Sequence, residues 1–434
     1  MVERVNSGTL GVLVGGGPAP GINGVISAVT IEAVNQGLTV YGIRDGFRWL
    51  TAGDCEHVVR LKIDDVSGVH LRGGSILGTS RTNPTKDEQD MRRVLETLHG
   101  LGVTNLVTIG GDDTAYSASQ VYKHAGGTIR VAHVPKTIDN DLPLPGSTPT
   151  FGFETARHFG TLVLRNLSED AKTTSRWYLV VSMGRAAGHL ALGIGKAAAA
   201  TLTIIPEEFR GQSVTLDMLC DIIEGAIIKR KNQNAHYGVV VLAEGLIEAI
   251  GEEELVRGMG GEIGLSRYGK LGRDPHGHLR LGDIAFGRMI KDVLTAKMDK
   301  LRFKTTFVDK DLGYELRCAD PIPFDAEYTR DLGYGAVKFL RSPESARFGA
   351  VISLVQGRMQ PLPFDEMIDP KTKRMQVRKV NVDGEAYECA RRYMIRLERD
   401  DLEDPEQLAR LAQVADMTAE QFVARFGYLV GLGV

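Results

Sequence analysis

Residues 135–141 read PKTIDND, which packs a lysine, a threonine and two aspartates into seven positions directly after an apolar run. Moving a phosphoryl group onto a hydroxyl needs positioned positive charge and a base for the hydroxyl proton. Asp139 fits the base, Lys136 a charge clamp on a transferring phosphate, and Thr137 a donor to phosphate or acceptor. An Asx-rich turn, with Lys136 merely paired to Asp113 at the surface, is the plain structural alternative. Two glycine-rich turns carry the phosphate side of the same argument: GGGPAPGIN at 15–23 and IGGDDTAYSA at 109–118. Glycines let backbone N–H groups approach phosphate, and a following helix start adds positive potential. Asp112 is the natural magnesium ligand, since magnesium takes one or two carboxylates plus phosphate oxygens. Asp113 either caps the next helix or is a second carboxylate that a cation must offset. Arg72 and Arg81 bracket RGGSILGTSR; they suit a bidentate grip on phosphate, although such a segment equally suits a surface loop.

These residues need a frame that brings strand ends together. Short apolar runs at 9–14, 38–43, 105–109, 131–134, 177–182, 202–205, 238–243 and 349–355 read as buried strands. Amphipathic stretches at 23–35, 114–123, 154–170, 187–199, 215–230, 282–297 and 324–339 read as helices between and after them. Strand followed by helix, repeated, predicts an α/β fold of two doubly wound, Rossmann-like domains with mostly parallel sheets. Residues 251–280 read as an irregular insertion, and the charged stretch from Glu385 as a helical C-terminal tail.

Bulk properties narrow the partners. The 434 residues are 43% apolar and 25% charged, with net charge −3, which argues against a nucleic-acid surface. The N-terminus has no apolar stretch of signal-peptide length, and later apolar runs are too short to span a bilayer, so no membrane partner is expected. The four cysteines are far apart without CxxC spacing, so a reduced, cytoplasmic protein is expected.

With these segments in hand, the sequence resembles the phosphofructokinase family. GGGPAPGIN, RGGSILGTSR, GGDDT, PKTIDND, MGR at 183–185, AEG at 243–245 and LGYELR at 312–317 occur in family order. Each is weak alone; the ordered series is specific. The resemblance implies magnesium-dependent transfer to the C1 hydroxyl of fructose 6-phosphate. It puts Gly17, Arg72 and Arg81 on the phosphoryl donor, Asp112 on magnesium, and Asp139 at the proton, with Thr137 and Ile138 beside it on the sugar substrate. Met183, Gly184 and Arg185 would contact fructose 6-phosphate, and Arg185 would stabilise charge during transfer. Glu244 would accept from sugar hydroxyls, and Tyr314, Glu315, Leu316 and Arg317 would hold the 6-phosphate end. Arg176 stands where family members reach into a neighbour's site, which implies a homo-oligomer, at least a dimer, with a shared site. The family pattern also implies a pyrophosphate/magnesium-binding domain from 1–145 with 315–370, and a sugar-phosphate-binding domain from 146–314 with 371–434.

The donor is read from two positions. ATP-using members typically carry glycine where this chain has Asp113 and Lys136, whereas pyrophosphate-using members carry Asp and Lys. A carboxylate at Asp113 adds negative charge where a nucleotide's α-phosphate would lie, which disfavours a third phosphate. Lys136 then holds the shorter donor. Arg44 stands where ATP-using relatives often have a tyrosine against adenine, and Pro18 replaces an acidic residue common in the first loop. Pyrophosphate as co-substrate implies a reversible step. An ATP-dependent enzyme is the alternative. Val308 stands where relatives often place a second neighbour-contributed arginine, for which Lys304 or Arg302 can substitute. An NAD-kinase-like protein lacks this motif series, a decayed regulatory protein would not keep Asp112, Asp139 and Arg185, and GGGPAPG is out of register for a dinucleotide fingerprint.

Overall fold

The computed structural model describes residues 8–432 apart from 271, 274–279 and 373. Its strands, in chain order, are β1 (Thr9–Val14), β2 (Thr39–Ile43), β3 (Val58–Leu61), β4 (Val103–Gly110), β5 (Arg130–Thr137), β6 (Phe151–Gly152), β7 (Trp177–Ser182), β8 (Leu202–Ile204), β9 (Gly238–Ala243), β10 (Phe307–Leu312), β11 (Ala350–Val355) and β12 (Arg358–Pro363). The chain forms two compact units. The first takes the chain as far as Ala156 and resumes at Tyr314–Arg378; the second takes most of the chain from Arg157 to Gly313 and resumes at Lys379.

In the first unit the strand order is β12-β11-β5-β4-β1-β2-β3, with β6 on β5. The inner pairs are parallel, and only the outer pairs β2–β3 and β11–β12 are antiparallel. The sequence TLGVLV explains why β1 lies inside. It is apolar on both faces, so Leu10, Val12 and Val14 enter one core cluster while Leu13 enters the other. Helices Ile22–Asn35 and Pro323–Arg341 cover the first face; Glu88–Gly100 and Asp112–Ala125 cover the second. The order reverses at β1, because β2 lies on one side of it and β4 on the other. Such a reversal opens a crevice at the strands' carboxyl ends.

The second unit repeats the device on a smaller scale. Its sheet is β10-β7-β9-β8, all parallel, and the order reverses at β7. The tail helices Pro405–Val414 and Ala419–Phe426 belong to this unit's core, where Phe422 and Phe426 are fully buried.

The two mostly parallel sheets are those the alternation predicts, and several elements differ from the sequence reading. The stretch 251–280 holds short helices at Glu252–Gly258 and Glu262–Leu265, anchored by buried Leu255 and Leu265. Part of that stretch, 271 and 274–279, lies outside the described residues. β3, β10, β12 and the helix Glu88–Gly100 are additional elements. In that helix Asp87 caps the N-terminus by accepting from Gln89 N at 2.9 Å, and Met91, Val94 and Leu98 form the buried stripe.

Where the two stretches of the first unit meet, Asp325 is fully buried and accepts from Gly152 N (2.9 Å), Thr155 N (2.8 Å) and Thr155 Oγ1 (2.5 Å). Asp325→Ala strands these donors without a partner. It is expected to lower stability by about 2–4 kcal/mol, seen as an earlier urea midpoint.

Candidate active site

In the first unit the sequence motifs converge on the carboxyl ends of β1, β4 and β5. β1 runs into Gly15–Gly16–Gly17, whose first two amides donate to Ile109 O and Ser80 O, each at 2.8 Å. The Thr79 hydroxyl donates to the Gly16 carbonyl at 2.6 Å, so the end of RGGSILGTSR runs along this turn and delivers Arg81 beside it. Asn23, at the start of the helix Ile22–Asn35, holds the other end of that segment. Its Nδ2 donates to the Arg72 and Gly73 carbonyls (3.0 and 3.2 Å), and its Oδ1 accepts from Ile76 N at 2.9 Å. Gly73 N donates to Asp320 Oδ1 at 2.8 Å. Asn23 lies inside a quoted motif, yet its positioning role shows only in the fold.

β4 ends at Gly110, and the next helix starts at Asp112, two residues earlier than its apolar pattern suggested. Asp112 and Asp113 therefore both sit in the first turn, where the helix dipole favours carboxylates. Beneath this turn His133 is fully buried between Thr108 Oγ1 (2.8 Å from Nδ1) and the Gly110 carbonyl (3.0 Å from Nε2). Burial is the main cause that drops its pKa to about 3, so the ring is neutral. A carbonyl only accepts, so Nε2 carries the proton and Nδ1 accepts from the Thr108 hydroxyl. No sequence pattern marked His133.

Lys136, at the end of β5, is buried rather than on the surface, with 4% exposure, and its Nζ donates to the Gly17 carbonyl. Burial first, then the Arg317 guanidinium, lowers its pKa to about 8. Arg81 adds to that depression, while Asp139 and Asp112 oppose it. These residues thus share one electrostatic neighbourhood. Arg317 follows the short turn Tyr314–Leu316, and its Cζ would stand 3.2 Å from a β-carbon at Gly17, so any larger residue there would press on the guanidinium. The family pattern puts Arg317 on the sugar's 6-phosphate; in the ligand-free chain its guanidinium rests at the donor turn. Thr137 Oγ1 accepts from Asp139 N at 3.0 Å, while Ile138 and Leu316 are buried among the core side chains. Tyr314 is exposed and Arg317 lies 5.0 Å from its ring. Glu315 is exposed beside it.

In the second unit the MGR segment leaves β7 at the reversal point. Met183 N donates to Leu312 O at 2.9 Å, Glu244 N donates to Ser182 O at 2.9 Å, and Gly245 N donates to Gly184 O at 3.1 Å. Gly184 has φ +139°, a conformation open to glycine, and its amide donates to Glu244 Oε2 at 3.2 Å. Met183, Gly184, Arg185 and Glu244 are thereby brought together on adjacent strand ends. Arg176 lies at the opposite end of β7, with Nε 4.0 Å from Asp170 Oδ2. That same carboxylate accepts from Tyr178 OH at 2.5 Å.

Among the described residues no group of three or more His, Cys, Asp and Glu side chains could hold a metal ion. Asp112, in the first turn of its helix, has the chemistry of a magnesium ligand, since magnesium needs only one or two carboxylates and takes the rest of its oxygens from phosphate and water. Among the described residues no helix is long and apolar enough to cross a membrane.

A family model described as Phosphofructokinase matches residues 9–340. A Thermotoga maritima protein named pyrophosphate–fructose 6-phosphate 1-phosphotransferase is 53% identical over 100% of both chains. A Naegleria fowleri protein of that name is 50% identical over 99% of this chain and 98% of its own. An Amycolatopsis methanolica protein of that name is 32% identical over 80% of this chain and 90% of its own. Among solved structures, a pyrophosphate-dependent phosphofructokinase from Marinobacter aquaeolei superposes with TM-score 0.63 at 18% identity, covering 89% of this chain and 90% of that one. At that identity it speaks for the fold alone.

In the ligand-free chain Lys136 is charged below about pH 8 and neutral above it. Affinity for metal-free pyrophosphate, used as a probe anion, is expected to fall as pH rises through that value. Calorimetric titration from about pH 7 to about 9.5 checks this. Lys136→Met, run in parallel, should keep only the slope due to the anion's own protonation.

Proposed function

The chain belongs to the phosphofructokinase family, and on that premise we propose that it transfers a phosphoryl group reversibly from pyrophosphate to the C1 hydroxyl of fructose 6-phosphate, giving fructose 1,6-bisphosphate and phosphate. The observation that carries the donor is Lys136, a buried cation bonded to the Gly17 carbonyl beside Arg317 and Arg81. Three cations around one glycine turn suit a compact, highly charged anion. Asp113 stands in the first turn of the helix Asp112–Ala125, where its charge opposes a third phosphate. Relatives sharing half or more of this sequence over its full length carry the pyrophosphate-linked name. Both points favour this reading over the ATP-dependent alternative.

In this reading Gly17, Arg72, Arg81 and Lys136 bind the donor. Magnesium, held by Asp112 and phosphate oxygens, would neutralise the donor's charge and orient it. Asp139 takes the proton from the C1 hydroxyl as its oxygen bonds to phosphorus and phosphate leaves. Thr137 and Ile138 present the sugar to that base. Met183, Gly184 and Glu244 hold the sugar, and Arg185 offsets charge as the phosphoryl group moves. Tyr314, Glu315, Leu316 and Arg317 serve the 6-phosphate. Arg176 serves a neighbouring subunit's site, so the working enzyme is a homo-oligomer, and its setting is the cytoplasm.

The deciding assay supplies fructose 6-phosphate and magnesium with either pyrophosphate or ATP and follows fructose 1,6-bisphosphate. Turnover with pyrophosphate is expected; turnover with ATP alone would overturn the donor. Asp139→Ala should lower kcat by about 10²–10⁴ while fructose 6-phosphate still binds. Replacing Asp113 and Lys136 together by glycine should weaken pyrophosphate use, and untouched pyrophosphate kinetics would remove the donor argument. Arg176→Ala should raise the KM for fructose 6-phosphate, and mixing it with Asp139→Ala subunits should recover activity through hybrid sites. Lack of recovery, with subunit exchange verified, would count against a shared site.

A further inference from the structure

The turn that carries Asp139 is held by a residue far along the chain. Asp139 N is fixed by Thr137 Oγ1 (3.0 Å), and the Thr137 carbonyl accepts from Thr150 Oγ1 (2.9 Å). The next residue, Asn140, is buried and adopts φ +56°, a left-handed conformation uncommon outside glycine. Such a residue stays put only where its surroundings over-determine it. Thr150 N donates to Asn140 Oδ1 at 3.0 Å, and the remaining restraints come from Arg378. Its Nε and Nη2 both donate to the Asn140 carbonyl at 3.1 Å, and Nη2 also donates to Asn140 Oδ1. Its Nη1 donates to the Thr148 carbonyl at 2.9 Å, and its backbone N donates to the Asp141 carbonyl at 2.6 Å. Burial works against the guanidinium's charge, and Asp141 supports it.

We propose that Arg378 is a positioning residue for the phosphoryl-transfer step: it clamps Asn140, and through it sets the direction in which Asp139 presents its carboxylate. The inference rests on the reading of Asp139 as the base. The clamp needs the planar fork of an arginine. One ammonium cannot reach the Asn140 carbonyl, its amide oxygen and the Thr148 carbonyl at once. Arg378 lies beyond the residues matched by the family model, which end at 340. The chain passes from the first unit to the second immediately after it. There Lys379 Nζ donates to the Ala186 carbonyl, next to Arg185. Val380 N donates at 3.1 Å to Glu207 Oε1, which also accepts from Gly188 N at 2.9 Å. Arg378 thus holds the loop after β5 within the first unit, and Lys379 and Val380 bond within the second.

The test compares full-length wild type, Arg378→Lys and Arg378→Ala with pyrophosphate, magnesium and fructose 6-phosphate, with kcat referred to folded protein. Misplacing a reacting group by an ångström costs up to about 100-fold in rate, so Arg378→Ala should lose about 10- to 100-fold in kcat. Both KM values should stay within about threefold, because the lost interaction is made in the transition state rather than in binding. Arg378→Lys should fall between the two, and added guanidinium ion at millimolar concentration should restore part of the Arg378→Ala rate without raising that of wild type. A purely structural role predicts a lower melting temperature, with kcat per folded site unchanged and no guanidinium rescue; that result overturns the proposal, as does a rise in KM at constant kcat. Should Arg378→Ala not fold, the kcat of Arg378→Lys decides by the same criteria. A wild type inactive with pyrophosphate sinks the functional reading and this role with it. An active wild type with undiminished variants sinks this role alone.

Discussion

The phosphate end of the molecule is organised around one buried cation. Taking an ammonium out of water costs on the order of several kcal/mol unless partners replace its hydration. For Lys136 those partners are the Gly17 carbonyl and the fields of Asp139 and Asp112, set against the repulsion of Arg317 and Arg81. The balance leaves the amine less basic than an ordinary lysine. A cation held in this state gains from any anion that arrives, because the anion restores both its charge and its lost solvation. The GGG turn supplies the carbonyl, the GGDD turn an opposing carboxylate, and PKTIDND the amine.

Parallel sheets make that convergence possible. A strand-order reversal leaves two neighbouring strand ends whose connections run to opposite faces, so the ends stay open. In the first unit the reversal at β1 sets the Gly15–Gly17 turn beside Gly110–Asp112. In the second, the reversal at β7 leaves Met183 and Gly184 held by Leu312 on one side and by Glu244 and Gly245 on the other. Each unit thus presents its polar groups with backbone hydrogen bonds, a few glycines and side-chain ties such as those of Asn23 and Glu244.

What the sequence made legible follows from burial. β1, β7 and β9 are buried along nearly their whole length, so they read as almost unbroken apolar runs. β10 is an edge strand, FVDKDL, with only its terminal residues buried, and its charged middle hides it from a hydrophobicity reading. β12, ending its sheet with two prolines, hides for the same reason. The site was legible where its residues are neighbours in sequence, as in PKTIDND. It was not legible where the partner is remote: His133 looks like any strand residue, and Arg378 meets Asn140 across 238 positions. Local patterns carry no signal for such pairings.

The C-terminal third then ceases to look like an appendage. β11 pairs with β5, the strand that ends in Lys136 and Thr137, so residues after the family match extend the sheet that leads into the turn of Asp139. Arg378 fastens the turn itself. Beyond it, Arg396 pairs with Glu208, Lys229 with Asp401 at 2.6 Å, and Arg425 with the fully buried Glu224 at 2.7 Å. An isolated exposed ion pair contributes little, but breaking a buried one leaves a charge without compensation. Burial raises the pKa of Glu224 and Arg425 opposes that rise, so removing Arg425 would favour the protonated carboxyl. The tail is thus bound into the second unit by charges that cannot be released singly.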